Sequence, residues 1–429
     1  MERVLILSGL QLSTNPRVVK EADTLATAGY DVEVVGVALD PQLVARDKQL
    51  FDGKQWRYTT LLDASSHELR DRYRWAQART RMRVLYEVHR RFGVSSPRRL
   101  GYAASEMRRY ALRHPADLTI VHNPQGLWVG VELLRHGRKI AVDFEDWYSE
   151  DLLPQDRSGY TAELLRRLEA IVLRGAAYSS TTSRRLSEAL ASSYQCVPPV
   201  VLYNSFSWAE RASIDGEARD RVDPGLPSVC WFSQVVGPGR GLEALMDALP
   251  SVNVLFEIHL RGNARPAYRD ALLTRAPQVW RDRIHFHDQV PHAELLSRLA
   301  EHDLALAGEL PDCRSRALTI TNKVLQYLLA GVPVLASDTE GQREVAERAN
   351  GAVALFAAGD SESLAAAIDR MLSNPELLRE AREKAALAAE RHFCWERAAP
   401  MLLDQVRRAL PTGVVTERVD GIHARPGTR

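Results

Sequence analysis

Residues 228–249 read SVCWFSQVVGPGRGLEALMDAL. An apolar run ends in a Gly-Pro-Gly turn, and a helical pattern follows with Leu242, Leu245, Met246 and Leu249 on one face. Apolar alternation giving way to a 3.6-residue period marks a strand, a tight loop and a helix. The glycines Gly237, Gly239 and Gly241 let a ligand approach the backbone, and N–H groups at a helix start suit an anion. Arg240 adds a full positive charge with a bidentate donor at the same place.

The same unit recurs on both sides of this stretch. Towards the N-terminus, strands are expected at 3–8, 32–37, 57–61, 117–122, 139–143, 177–181 and 199–202. Helices fill most of the gaps; the first is expected after Asn15, which is placed to cap it, with Pro16 in its first turn. Beyond the 228–233 strand, further strands are expected at 253–260, 284–286, 303–307, 333–336 and 352–356. Short apolar strands alternating with helices predict an α/β fold with parallel sheets covered on both faces. The polar stretch 205–226, SFSWAERASIDGEARDRVDPGL, interrupts the pattern and reads as a linker. The chain therefore divides into a Rossmann-like domain over 1–204, this linker, and a second Rossmann-like domain over 227–394. A helix at 396–410 and a flexible polar tail over 412–429 follow.

Composition narrows the function classes. The 429 residues are 45% hydrophobic and 26% charged, an ordinary globular balance that excludes collagen-like and disulfide-scaffold classes. The formal net charge is +1, but it is unevenly spread. Residues 70–113 hold 13 Arg against Asp71, Glu87 and Glu106, interleaved with Tyr73, Trp75, Met82, Leu85, Tyr86 and Phe92. This segment reads either as solvated helices whose apolar stripe packs on the first sheet, or as a basic face for an anionic membrane or acceptor. No nucleic-acid reader motif accompanies it, so nucleic acid is not expected. The four cysteines are widely scattered and form no ligand spacing, so reduced thiols, no metal and a cytoplasmic setting are expected. The apolar start MERVLILSGL is too short for a signal peptide and reads as the first strand.

A second informative stretch is 315–344, SRALTITNKVLQYLLAGVPVLASDTEGQRE. Thr321 or Asn322 can cap a helix whose inner side is Val324, Leu325, Leu328 and Leu329; Gly331 ends it. Lys323 stands beside the helix start and Gln326 one turn in. Taken in order, N-P-R-V-V-K-E-A, G-P-G-R-G-L-E and T-N-K-V-L-Q-Y-L-L-A-G-V-P-V-L-A-S-D resemble a GT-B fold glycosyltransferase of family 4. The resemblance covers the chain apart from its tail. It implies two Rossmann-like domains facing a cleft, with the last helix crossing back to the first domain. It further implies retaining, metal-independent transfer of a sugar from a nucleotide-sugar donor held by the second domain. The acceptor, held by the first, would be a glycan, a lipid-linked sugar or a small natural product.

Carried over position by position, the resemblance makes Arg240 the diphosphate contact. Lys323 and the 318–322 backbone become part of a phosphate or sugar cradle. His122 and Glu145 are placed at the cleft as catalytic candidates, with Asn123, Asp146 and Trp147 towards the acceptor. Gly9 and the loop ending at Asn15 lie beneath the donor, and Ser233, Gln234, Gly237, Gly239, Gly241, Thr321, Asn322 and Gln326 line its site. Two departures stand out. A pair of glutamates eight residues apart is common in the family, and here those positions are Leu318 and Gln326. An arginine often found after the first strand of the second domain is replaced around Ser233–Gln234. Two other readings fit the same motifs: a nucleotide-sugar epimerase on the same fold, and a non-catalytic nucleotide-sugar-binding relative. Peripheral contact with the inner membrane face through 70–113 is a further expectation.

Overall fold

The structure, a computed structural model, describes residues 1–94, 96–152 and 160–410; the tail expected from 412 lies outside them. Its first sheet contains β1 (Arg3–Gln11), β2 (Asp31–Ala38), β3 (Arg57–Asp63), β4 (Leu118–His122), β5 (Ile140–Phe144), β6 (Tyr178–Thr181) and β7 (Val200–Val201). These lie in the order β3-β2-β1-β4-β5-β6-β7. The second sheet contains β8 (Ser228–Val236), β9 (Glu257–Ala264), β10 (Ile284–His287), β11 (Leu304–Ala307), β12 (Val334–Ser337) and β13 (Val353–Phe356), ordered β10-β9-β8-β11-β12-β13. Every pairing is parallel. Parallel strands need crossover helices, which cover both faces and explain why β1 and β4 are buried and mainly apolar.

Strand boundaries shift by up to four residues from the sequence expectation, most of all at β9. β9 starts at Glu257 rather than 253, because the N–H groups of Asn253 and Val254 donate to the Asp369 carboxylate at 2.9 and 3.1 Å instead of joining the sheet. Two carboxylate bonds outcompete the ladder at a sheet end.

Residues 205–226 are a strap and not a free linker. The Ser207 hydroxyl accepts from Ala209 N–H and donates to Glu396, and Trp395 N–H donates to the Phe206 carbonyl at 2.9 Å. Further on, Asp215 meets Arg298 at 2.6 Å and Arg221 meets Asp303 at 3.0 Å, which ties the strap to the second domain.

The last helix, Trp395–Ala409, crosses back to the first domain as expected. Ala398, Leu402 and Val406 enter the same core as Val4, Ile6 and Leu25. The Trp395 indole donates to the Thr24 hydroxyl at 2.8 Å. Across the domain joint, Ser183 donates to the Leu318 carbonyl at 2.7 Å, and the buried Glu344 accepts from Arg184 N–H at 2.8 Å and Tyr203 OH at 2.7 Å. Residues just past β5 meet residues past β11, since Trp147 N–H donates to Ser315 Oγ at 3.0 Å. The carboxyl ends of the two sheets thus face each other, the place where open α/β sheets bind ligands.

Trp395 fixes the crossing helix by both packing and its hydrogen bond. Trp395→Ala is expected to cost about 3–5 kcal/mol, the usual range for emptying a buried Trp site. Urea unfolding measures this; a loss below about 1 kcal/mol would show that the helix docks without it.

Candidate active site

The first-domain side of the cleft is built on a buried chain of charges. Arg17, on the helix Pro16–Thr27, has no solvent exposure. It donates to Asp143 Oδ2 from Nε at 2.8 Å and Nη2 at 2.6 Å, and from Nη1 to the Leu202 carbonyl at 2.6 Å. Glu21, one turn on, lies 3.6 Å from Arg17 Nε and holds His122 Nε2 at 2.9 Å. The other ring nitrogen, His122 Nδ1, lies 3.4 Å from Glu145 Oε1, which also accepts from Asn15 Nδ2 at 2.8 Å. Burial alone would lower the His122 pKa, but Glu21, Glu145 and Asp143 more than reverse this and push it up to about 10. Both ring nitrogens thus face carboxylates that favour the charged ring.

His122 ends β4, and the chain turns sharply into the next helix at Asn123, held at φ +66°. That is a costly backbone for a non-glycine residue, and such residues cluster at functional sites. The turn is held because Asn123 Oδ1 accepts from Gly9 N–H at 3.1 Å, and Gln125 Nε2 donates to the Gly9 carbonyl at 2.7 Å. A Cβ on Gly9 would overlap the Gln125 side chain, so the glycine is required.

On the second-domain side, β8 runs into the loop Gly237–Gly241. Gly241 has φ +82°, and a Cβ there would sit 2.2 Å from the Gly308 carbonyl oxygen just past β11. Only glycine permits this approach. Arg240 is exposed and its Nη1 donates to Ser233 Oγ at 2.6 Å. Lys323, at the start of the helix Asn322–Ala330, is ion-paired with Glu309 and lies 5.4 Å from the Trp231 ring centre. Two cations, a glycine loop and helix N–H groups therefore stand at one sheet end.

Comparison with family models matches residues 14–204 to "Glycosyl transferase 4-like domain" and residues 227–374 to "Glycosyl transferases group 1". The two matches together span most of the chain. The protein belongs to the family-4-type glycosyltransferases. Solved structures share the fold at low identity. Sucrose-phosphate synthase from Thermosynechococcus elongatus is 15% identical over 95% of this chain and 99% of its own, with a TM-score of 0.69. Anabaena Alr3699/HepE, in complex with UDP-glucose, is 16% identical over 95% and 99%, with a TM-score of 0.68. A putative UDP-N-acetylglucosamine 2-epimerase from Listeria monocytogenes is 16% identical over 94% and 95%, with a TM-score of 0.54. A comparison with curated proteins finds no match. The GT-B architecture expected from the sequence is thus the one observed.

Several expected residues of this glycosyltransferase do other work. His122 is fully enclosed, so it orients Glu145, while the partly exposed Glu145 carboxylate reaches the cleft. Asn15 does not cap its helix; its amide goes to Glu145, a stronger charged acceptor. Neither Thr321 nor Asn322 caps by side chain either; Thr321 Oγ1 accepts from Gln342 at 3.4 Å, while Asn322 is exposed at the cleft-side helix start. Trp147 is buried in the first-domain core with its indole on Tyr194 OH, which takes it out of an acceptor wall. Ser233 is engaged by Arg240, Gln234 gives its carbonyl to Gln289, and Gln326 is buried. Leu318 is packed into the first-domain core.

Arg17, Glu21 and Glu309 were not anticipated. Arg17 and Glu21 stand at i and i+4 beside an apolar helix face, a signal of a paired charge in a buried setting. Glu309 directly follows Gly308 after an apolar strand, a position at a strand's carboxyl end.

Asp146 is pushed up to about 7, by burial first and then by Asp151 and Glu145. A raised carboxyl binds its proton more tightly folded than unfolded, so stability falls as pH rises from about 4 to 7. Asp146→Asn removes that loss. Thermal melts of variant and wild type are expected to diverge in favour of the variant from pH 4 to pH 8; parallel curves would show Asp146 ionised throughout.

Proposed function

We propose that the protein is a retaining, metal-independent glycosyltransferase that uses a nucleotide diphosphate sugar. The single observation that carries this is Arg240, steadied by Ser233 above the Gly237–Gly241 loop. The developing charge on a leaving diphosphate needs fixed donors, and Arg240, Lys323 and the helix Asn322–Ala330 N–H groups supply them. The HepE relative was solved with UDP-glucose, so UDP-sugars are the first donors to test. Glu145, held by His122 and Asn15, is the polar group on the opposite wall. It positions the acceptor or donor sugar, and the leaving phosphate takes the acceptor proton in a front-face transfer.

The acceptor is best read as lipid-linked. The helix Leu69–Phe92 packs Trp75 and Ala78 on Val37 and Leu62 of the first sheet, as the packed-stripe reading has it, and leaves its other face outward. Tyr73 is 65% exposed and Phe92 73%, among exposed arginines. A surface of arginines with outward aromatics fits an anionic interface. Beside it, a groove of about 540 Å³ is lined by Asp63, Ser66, His67, Arg72, Trp75 and Arg79, large enough for a sugar headgroup. No helix among the described residues is long and apolar enough to cross a membrane.

Turnover is tested by following nucleotide release with a panel of nucleotide sugars, with and without lipid acceptors. Arg240→Ala is expected to weaken donor binding by about 1.5–3 kcal/mol, the value of a charge-assisted hydrogen bond; unchanged affinity removes the anchor of the proposal. Donor binding without turnover supports the non-catalytic reading, and isomerisation without acceptor supports the epimerase. Vesicles containing anionic lipid are expected to retain the protein at low salt, with loss of retention at high salt. Equal recovery with neutral vesicles argues for a soluble acceptor.

A further inference from the structure

At the opposite end of the second sheet, where its strands begin, four histidines meet. Glu257 and His259 alternate along β9 and so share a face, and His285 on β10 lies in register with His259. The His259 ring centre is 4.9 Å from that of His285, 5.2 Å from His287 and 4.5 Å from His302. Glu257 Oε2 lies 3.3 Å from His259 Nε2, and Oε1 lies 3.4 Å from His285 Nε2. Ligand atoms of the three residues all lie within 4.8 Å of one another. His285 Nε2 is buried without a hydrogen-bond partner.

The ring protons decide what belongs among these atoms. His259 Nδ1 is 3.0 Å from His287 Nε2, and His287 Nδ1 is 3.5 Å from Asp220 Oδ1. With His287 donating to Asp220, its Nε2 accepts from His259 Nδ1–H. The Nε2 lone pair of His259 then faces the Glu257 carboxylate, two acceptors that a shared proton or a bound cation reconciles. The reverse orientation moves the same conflict to His287 and Asp220. A carboxylate–histidine relay behind a ligating nitrogen is the usual second layer of a metal site. Each Glu257 oxygen faces one histidine nitrogen, so the carboxylate stands between the two rings and can reach an ion shared with both.

We infer that Glu257, His259 and His285 form a structural divalent-cation site suited to zinc. The site is remote from the Gly237–Gly241 loop and takes no part in sugar transfer. Glu257 also accepts from Asp223 N–H at 2.8 Å, and Arg221 lies 3.5 Å away. A bound cation would therefore pin the interdomain strap to the edge of the second sheet. No local spacing could show this, since the ligands come from two strands.

The test uses untagged full-length protein, loaded with zinc chloride and dialysed against metal-free buffer. Expected are one retained zinc per chain, a rise in melting temperature with zinc, and X-ray absorption showing nitrogen and oxygen ligands without sulfur. His285→Ala and the gentler His285→Asn, both checked for native circular dichroism, are expected to abolish retention and the melting shift. No retained zinc in the wild type, sulfur in the ligand shell, or equal retention in a folded His285 variant would overturn the site.

Discussion

The buried guanidinium of Arg17 is the constraint on which the first domain's cleft depends. Taking an ion pair out of water costs several kcal/mol per ion, and only tight geometry offsets it. Arg17 reaches that geometry by joining three elements: its own helix, Asp143 on β5, and the Leu202 carbonyl where the chain leaves β7. Each later contact follows from this one. Glu21 is placed by the helix that Arg17 anchors, His122 by Glu21, and Glu145 by His122 and Asn15. The carboxylate at the cleft is the partly exposed outer end of a chain of buried charges that fixes its place.

The two sheets divide labour between their ends. At the carboxyl ends, glycines clear space and cations face the gap, because open strand ends and helix starts leave backbone N–H groups free. At the amino ends, charged side chains fasten the strap 205–226 to the sheet and to the crossing helix. Leu318 fills the first-domain core, and its carbonyl accepts from Ser183. At the opposing sheet end stand Arg240 and Lys323, the latter balanced by Glu309.

The balanced total charge conceals a basic surface. The helix Leu69–Phe92 carries much of the arginine of the 70–113 segment and packs one side, with Trp75 and Ala78, on the first sheet. Such a helix is held by a few anchors. The Arg81 guanidinium bonds Glu106 through two nitrogens, each at 2.8 Å, and Trp75 meets Tyr102 edge-on with ring centres 5.0 Å apart. Its remaining aromatics gain nothing from the core, which is the physical reason to assign them to an external interface.

By itself the sequence determined the strands, their parallel arrangement into two domains, the glycine loop with Arg240, and the family. Each of these is written in local periodicity or in contiguous motifs, where neighbours along the chain are neighbours in space. Only the tertiary structure decided that His122 is enclosed while Glu145 is presented, that Asn15 serves Glu145 instead of its helix, and that Trp147 is core. It likewise decided that Glu257, His259 and His285 converge. Those roles rest on contacts between residues far apart in the chain, and on how much water each side chain keeps. Neither long-range contact nor burial is encoded by spacing, because both depend on which strands the fold sets side by side.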